Sequence, residues 1–272
     1  MKYSAWSKDI DNLMNSSSGG IFYELAKKMI ESGGKVVGVV MDGVKAKYVL
    51  TNNLDEIKKM RGSKYIPSNP SSVINEIKSS KLPTLVVGLP CHIKAVQKKC
   101  DTKNIILCSL LCHGLPKKGV FEKHIEKISK GRGIKSISFR DKKYGWLNSQ
   151  RLNIVFTNGE EYDVDKSEDG YYRSYLNHSI FRDSCRLCKY NQKGVGDITI
   201  GDFWGVPSLL KNERGTSIVK INTTKGETFF NSIDNIIKKR VHFYHYLNVD
   251  SLKNMGGLKN IAYKLLKTVG LR

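Results

Sequence analysis

The first 130 residues alternate between short apolar runs and segments of helical periodicity. Continuous apolar runs, which are typical of buried strands, occur at 36–41, 84–87 and 105–111. Apolar residues recur at helical spacing at 21–30, 54–60 and 92–98. A helix between successive strands allows those strands to run parallel. The alternation therefore predicts an α/β fold with a mainly parallel central sheet flanked by helices.

The pattern changes in the second half of the chain. Segments 134–139 and 152–156 are typical of strands, and an Asn158-Gly159 turn leads from the second of them into 161–164. We expect a β-rich insertion here, which makes the fold mixed α+β in character. Further segments are predicted as a helix at 171–176, strands at 197–201 and 218–222, and a helix at 227–237.

The chain contains no Pro/Gly/Ser linker long enough to separate two domains. We therefore predict one main domain over residues 1–250, followed by a basic amphipathic C-terminal helix over 251–272. In that helix lysines surround an apolar stripe. The stripe could lie on a membrane surface or pack against the main domain.

The formal net charge of +21 raises the possibility of an acidic protein, an anionic membrane or an anionic ligand as partner. The lysines are scattered in pairs, and no zinc finger or helix-turn-helix motif accompanies them, which argues against nucleic acid. No apolar run approaches the roughly 18 residues of a membrane-spanning helix. Because the first residues also lack the apolar run of a secretory signal, we expect a cytoplasmic protein.

Four cysteines are candidates for a single metal site. Cys91 and Cys112 each follow a predicted strand, while Cys185 and Cys188 form a C-x-x-C pair. Four thiolates suit an iron–sulfur cluster or structural zinc. Zinc ribbons bring two C-x-x-C pairs, whereas here one pair joins two single cysteines, so the spacing favours a cluster. Zinc and unrelated buried thiols remain as alternatives.

Several other segments have the residue types of a cofactor site. Segment 16–20 (SSSGG) precedes a helix and 61–64 (RGSK) ends one, so together they could cradle an anion; the first could also simply cap its helix. Asp202 lies between aromatic residues and could orient a ribose or a ring nitrogen, or cap a turn. His113 could donate to a cofactor or a cluster sulfur, or be an ordinary turn histidine. Segment 140–146 could close over a ligand or form a surface ion pair.

Several of these motifs agree with one family. The sequence resembles the beta subunit of coenzyme F420 hydrogenase/dehydrogenase, a group of flavin and iron–sulfur oxidoreductases. The matching stretches are 16–20 (SSSGG), 61–65 (RGSKY), 88–91 (GLPC), 111–114 (LCHG), 139–142 (FRDK) with 145–146 (GW), 185–190 (CRLCKY) and 197–205 (DITIGDFWG).

The resemblance implies FAD beside a [4Fe-4S] cluster. The residues implied for FAD or for contacts to the cofactors are Ser17, Ser18, Gly19, Gly20, Arg61, Gly62, Ser63, Lys64, His113, Gly114 and Asp202. The implied metal ligands are Cys91, Cys112, Cys185 and Cys188. Family members commonly begin with a ferredoxin-like module, and no such cysteine motif precedes Tyr3 here. We therefore expect a separate ferredoxin-like protein as electron-transfer partner.

The sequence departs from the family pattern at Leu89, His92 and Ser109, where Thr, Gln and Asp are expected. The small-molecule substrate could thus be a deazaflavin or, as in relatives found among surface-polysaccharide genes, a polysaccharide-pathway intermediate. The prediction is an FAD- and iron–sulfur-dependent oxidoreductase. The alternatives are a non-enzymatic electron-transfer or assembly subunit and a zinc-stabilised nucleic-acid-binding protein.

Overall fold

A computed structural model describes residues 1–190 and 194–242. The C-terminal helix predicted at 251–272 lies outside these residues. In the described part of the chain, no helix is both long and apolar enough to cross a membrane. Its strands are β1 (Lys2–Ser7), β2 (Lys35–Asp42), β3 (Lys45–Thr51), β4 (Thr84–Gly88), β5 (Ile105–Leu110), β6 (Ile134–Arg140), β7 (Gln150–Phe156), β8 (Glu161–Asp165), β9 (Ile198–Asp202), β10 (Ser217–Ile221) and β11 (Ile236–Arg240).

The helices lie mostly between these strands, as the alternation predicts. They are α1 (Ile10–Asn15), α2 (Ile21–Glu31), α3 (Leu54–Met60), α4 (Ile74–Ser79), α5 (Pro90–Lys99), α6 (Val120–Ser129), α7 (Gly170–Leu176), α8 (Asp183–Arg186) and α9 (Thr224–Asn231). Short 3₁₀ turns occur at Pro70–Val73, Lys142–Tyr144 and Ser208–Leu210.

Eight of the described strands form one sheet in the order β11-β1-β10-β9-β5-β4-β2-β3. The pairs β9·β5, β5·β4 and β4·β2 are parallel, and the outer pairs are antiparallel. Five of the eight strands run in the same direction. The predicted mixed fold with a large, mainly parallel central sheet is therefore confirmed. The carboxyl ends of β4, β5 and β9 meet at one edge, which we call the carboxyl edge.

The predicted β-rich insertion is the antiparallel sheet β6-β7-β8. Its strand β7 buries Leu152, Ile154 and Phe156, the alternate positions that face the core. Gly159 has a φ of +87° in the β7–β8 turn, a backbone conformation that favours glycine.

Both faces of the central sheet are covered by helices. On one face, Leu25 and Met29 of α2 pack with Ile57 of α3 against the strands. On the other, Ile93 and Val96 of α5 pack with α4. Burial of both faces explains why the central strands are continuous apolar runs.

Two elements differ from the sequence predictions. The first is an unpredicted pair, β1 and α1, that precedes the first predicted helix. The second is the helix predicted at 227–237, which was wrong in its second half: α9 ends at Asn231, and β11 pairs antiparallel with β1. The spacing of Phe230, Ile233 and Ile236 fits a helix equally well, and pairing with the free edge of β1 decides in favour of a strand. The turn is held by Asn235, whose carbonyl accepts from the Lys8 amide.

Candidate functional site

The carboxyl edge presents the single cysteines of the candidate site. Cys91 lies in the first turn of α5, directly after β4, and Cys112 follows β5. Asp202 is the last residue of β9, the next strand in the sheet. Ligand sites in α/β sheets commonly form at the carboxyl ends of parallel strands.

The C-x-x-C pair is brought to this edge by backbone contacts between two loops. The amide of Lys117 donates to the carbonyl of Ile180 at 2.8 Å, and that of Arg182 donates to the carbonyl of Leu115 at 3.0 Å. The loop after Cys112 thus pairs with the segment before α8, so Cys185 and Cys188 lie beside Cys112.

All four predicted metal ligands line one pocket, together with His113 and Gly114. The other lining residues carry no carboxylate and are Leu89, Pro90, Leu115 and Tyr190. The cysteines are all free thiols. Within residues 1–190 and 194–242, no group of three or more His, Cys, Asp or Glu side chains is arranged to hold a metal ion. The structure therefore brings the four thiols to the wall of one pocket.

The thiols influence one another electrostatically. Partial burial raises the pKa of Cys91, and the nearby sulfurs of Cys188 and Cys185 raise it further. Burial raises the pKa of Cys112 to about 11, with smaller contributions from the other three cysteines. Thiolates crowded into an apolar pocket need a positive charge among them. This donor set fits a cation or an iron–sulfur cluster.

His113 and Gly114 lie at the border of the pocket. The Nε2 atoms of His113 and His178 are 3.0 Å apart, and burial and then His178 lower the pKa of His113. Gly114 has a φ of +138°, and a Cβ there would lie 2.1 Å from the ring of Phe181. Its carbonyl accepts from the Tyr175 hydroxyl at 3.2 Å. Gly114 thus permits close packing of the pocket wall.

The two segments predicted to cradle an anion do meet, through their serines. We call residues 16–20 the serine loop. The Oγ of Ser17 accepts from the Ser63 amide at 2.6 Å and lies 2.9 Å from the Ser63 Oγ. Two hydroxyls that share one hydrogen bond have one proton left to donate. This proton is available to an acceptor such as a phosphate oxygen.

The glycines of the serine loop have a packing role. The Gly19 amide donates to the Ser217 Oγ at 2.9 Å, and the Ser18 hydroxyl donates to the Thr216 carbonyl at 2.7 Å. A Cβ on Gly19 would lie 2.4 Å from the Ala5 carbonyl, and Gly20 has a φ of +76°. In the anion cradle predicted from the sequence, the Gly19 amide is therefore not available to a ligand, because it already has an acceptor.

The cations of the 61–64 segment do not flank the serine loop as predicted. Arg61 forms an ion pair with Asp11 at 3.0 Å. The Lys64 ammonium caps α3 by donating to four backbone carbonyls. These contacts favour its charged form, whereas burial lowers its pKa to about 7. Gly62 is exposed, with a φ of +80°. Of this segment, Ser63 alone is seen to contact the serine loop in the described hydrogen bonds.

Arg140 takes the place expected for those cations. Its side chain is fully buried, whereas the sequence indicated a lid or a surface ion pair. The guanidinium donates to Asp202 at 2.6 Å, to the Ser17 carbonyl at 2.9 Å and to the Tyr65 hydroxyl at 3.3 Å. Asp202 thus lies beside the serine loop, as a cofactor role would require. The position of Arg140 at the end of β6, opposite the end of β9, could not be read from the sequence.

Two buried polar atoms beside Arg140 have no hydrogen-bond partner in the described part of the chain: the Asp202 Oδ1 and the Trp146 Nε1. The rings of Trp146 and Trp204 are stacked, with centroids 5.2 Å apart and planes 5° apart. Trp204 remains 44% exposed. A polar planar ligand at this place would find both an aromatic face and an acceptor.

A stacked tyrosine pair connects the cysteine pocket with the Arg140 site. Tyr65, which contacts Arg140, stacks on Tyr175 with ring centroids 5.0 Å apart. The Tyr175 ring lies 5.3 Å from His113 at the cysteine pocket. The two candidate cofactor sites are therefore neighbours in the fold.

Comparison with known proteins assigns the chain to a family. Residues 2–75 match the family model for the N-terminal part of the coenzyme F420 hydrogenase/dehydrogenase beta subunit, and residues 83–241 match the model for its C terminus. The chain therefore belongs to the coenzyme F420 hydrogenase/dehydrogenase beta-subunit family, as the sequence motifs indicated. This membership supports an oxidoreductase role in electron transfer. No curated protein sequence matches the chain.

The fold is similar to that of a solved structure, the xenon-derivatised F420-reducing [NiFe] hydrogenase complex from Methanosarcina barkeri. The match has a TM-score of 0.65 at 18% identity and covers 99% of this chain and 90% of the matched chain. At this identity the similarity supports the fold.

Proposed function

We propose that this chain is an FAD- and iron–sulfur-dependent oxidoreductase that passes electrons between a ferredoxin-like partner and an organic substrate. The observation that carries the proposal is the convergence of Cys91, Cys112, Cys185 and Cys188 on one pocket at the carboxyl edge. Three separate segments supply these thiols, and the family is one of redox subunits.

The cysteine pocket suits a [4Fe-4S] cluster. Its four sulfur donors and apolar wall match the ligand preference of such clusters, and zinc uses the same donors. Leu89, Pro90 and Leu115 would limit the access of water to the sulfurs, which influences reduction potential. When bound, the cluster would supply one-electron transfer, and FAD would supply hydride transfer.

The serine loop and Arg140 suit the FAD. The spare hydroxyl proton of the Ser17–Ser63 pair can be donated to a phosphate oxygen. The Asp202 Oδ1 can accept from a ribose hydroxyl or a ring N–H. Stacking of a ring on the exposed part of Trp204 would add apolar contact.

The open side of the cysteine pocket suits an acidic electron-transfer partner. Leu187 is 91% exposed between the two cysteines of the C-x-x-C pair. Arg186 and Lys189 are also exposed there, and Lys117 and Lys118 lie on the loop paired with this segment. Basic groups around an exposed apolar residue favour association with an acidic protein surface.

For the organic substrate, the family resemblance indicates a deazaflavin or a polysaccharide-pathway intermediate. Leu89 and His92, two of the positions that depart from the family pattern, lie next to Cys91 at the carboxyl edge. His92 contacts the Tyr48 hydroxyl at 2.9 Å, and burial lowers its pKa to about 4. At neutral pH this imidazole is therefore uncharged and can fix the neighbouring tyrosine.

Anaerobic purification followed by reconstitution with iron, sulfide and FAD tests the proposal. We expect bound iron and sulfide together with flavin absorbance at roughly 450 nm. Titration of FAD into the apo-protein separates an enzyme from an assembly subunit, because the latter would give no binding isotherm. Zinc retained in preference to iron, with no flavin bound, would contradict the proposal.

Charge reversal at the open side of the pocket tests the partner. Arg186→Glu combined with Lys189→Glu should weaken binding to a bacterial ferredoxin and reduce its salt dependence. The matched control is Lys98→Glu with Lys99→Glu, an exposed pair at the other end of α5, about 12 Å along the helix from Cys91. Equal weakening by both pairs would indicate a general charge effect and contradict this docking surface.

A further inference from the structure

Two basic side chains contact the serine loop: Arg140 at the end of β6 and Lys142 just after it. The carbonyl of Ser17 accepts from the Arg140 Nη2 at 2.9 Å, and the carbonyl of Ser18 accepts from the Lys142 Nζ at 2.6 Å. Consecutive carbonyls of the loop are thus held by side chains only two positions apart in sequence. Both side chains are buried, since Arg140 is 6% and Lys142 4% exposed.

Arg140 is itself fixed by other contacts. Its Nε donates to the Ser149 Oγ at 2.9 Å, and its Nη1 donates to Asp202. Ser149 in turn donates to the Trp146 carbonyl at 2.7 Å. A guanidinium held on three sides has one orientation, so the Ser17 carbonyl has a fixed donor.

Lys142 is enclosed equally tightly. Its Nζ also donates to the Leu13 carbonyl at 2.6 Å, so it joins the end of α1 to the serine loop. At Gly215, a Cβ would lie 2.7 Å from this Nζ and 2.4 Å from the Ser18 carbonyl. The space around the contact has no room for another side chain.

We propose that Arg140 and Lys142 are positioning residues which fix the serine loop so that the Ser17–Ser63 hydroxyl pair faces the phosphate groups of a dinucleotide. This inference rests on the proposed FAD site for its ligand. The two carbonyl contacts set the path of the loop between α1 and α2. The hydroxyl pair, in contrast, makes the direct contact with the ligand.

The test compares Lys142→Met with Lys143→Met, the same change one residue along the chain. Lys143 is exposed and pairs with Asp163 of β8 at 2.6 Å. In the ligand-free protein, amide hydrogen exchange of residues 16–20 should accelerate in Lys142→Met and stay at the wild-type rate in Lys143→Met. Equal exchange in the two variants would overturn the inference, whether or not the protein binds FAD.

Ligand binding supplies the second readout. The Kd for FAD should rise at least about tenfold in Lys142→Met and stay within about twofold in Lys143→Met. The affinity of Lys142→Met for riboflavin, which has no phosphate, should fall much less than its affinity for FAD. Faster loop exchange with an unchanged Kd for FAD would overturn the positioning role.

A wild-type protein that binds no FAD would refute the proposed cofactor, while the exchange comparison would still decide whether the two basic side chains hold the loop. If Lys142→Met does not fold, Lys142→Gln gives the same comparison with a smaller expected effect, because its shorter, neutral amide still has two N–H donors for the two carbonyls. Arg140→Lys keeps the charge but loses the forked geometry of the guanidinium, so it too should weaken FAD binding more than Lys143→Met does.

Discussion

Replacement of Arg140 by methionine should destabilise the fold strongly. The change removes a fully buried guanidinium and leaves the Asp202 carboxylate, which is 17% exposed, without its cation. Loss of one partner of a buried ion pair costs about 3–5 kcal/mol. Because water reaches part of Asp202, we expect about 3 kcal/mol, which corresponds to roughly 6–12 °C in Tm for a chain of this size.

The matched control is Arg61→Met, which breaks an ion pair whose Asp11 partner is 70% exposed. An exposed pair contributes less than about 1 kcal/mol. Urea unfolding followed by circular dichroism measures both variants. The double variant Arg140→Met/Asp202→Asn should recover about 1–2 kcal/mol, because no buried charge is left alone. The reasoning is refuted if Arg140→Met loses no more stability than Arg61→Met, or if Asp202→Asn destabilises it further.

Two further predictions concern stability. Gly19→Ala should lower the free energy of unfolding by about 1–3 kcal/mol, because its Cβ would meet the Ala5 carbonyl. Gly170→Ala, which has open space around it, should raise the free energy of unfolding by about 0.5 kcal/mol. Thermal melts that show equal stability for the two variants would contradict this prediction. Burial and then the positive charge of Arg140 lower the pKa of Lys142 to about 7, although the negative charge of Asp202 acts in the opposite direction. Above pH 7 the native state therefore releases a proton from Lys142 that the unfolded chain still binds. Between pH 7 and 9, wild-type stability should therefore rise by about 2 kcal/mol relative to Lys142→Met, and parallel pH curves would argue against this assignment.

The sequence was sufficient for the features that depend on short-range pattern. The buried strands β4 and β5 are continuous apolar runs, and a cysteine follows each of them within a few residues. Parallel strands bring their carboxyl ends together, so Cys91 and Cys112 had to be close. The hairpin of β7 and β8 followed in the same way from alternation and an Asn-Gly turn.

Features that depend on long-range contacts could not be predicted. Arg140 and Lys142 resemble surface charges beside a hairpin in sequence, and their burial arises from the packing of β6 against the serine loop and β9. The cations at 61 and 64 looked equally suited to an anion, yet one pairs with Asp11 and the other caps α3. Only the fold decides which of several nearby cations meets a given loop.

Electron paramagnetic resonance of the reduced, reconstituted protein tests the central claim most directly. Cys112→Ser should lose the iron–sulfur signal and most of the bound iron, about four atoms per chain in the wild type, while Cys100→Ser, outside the pocket, should keep both. The same signal and iron content in both variants would contradict a cluster held by the four converging cysteines.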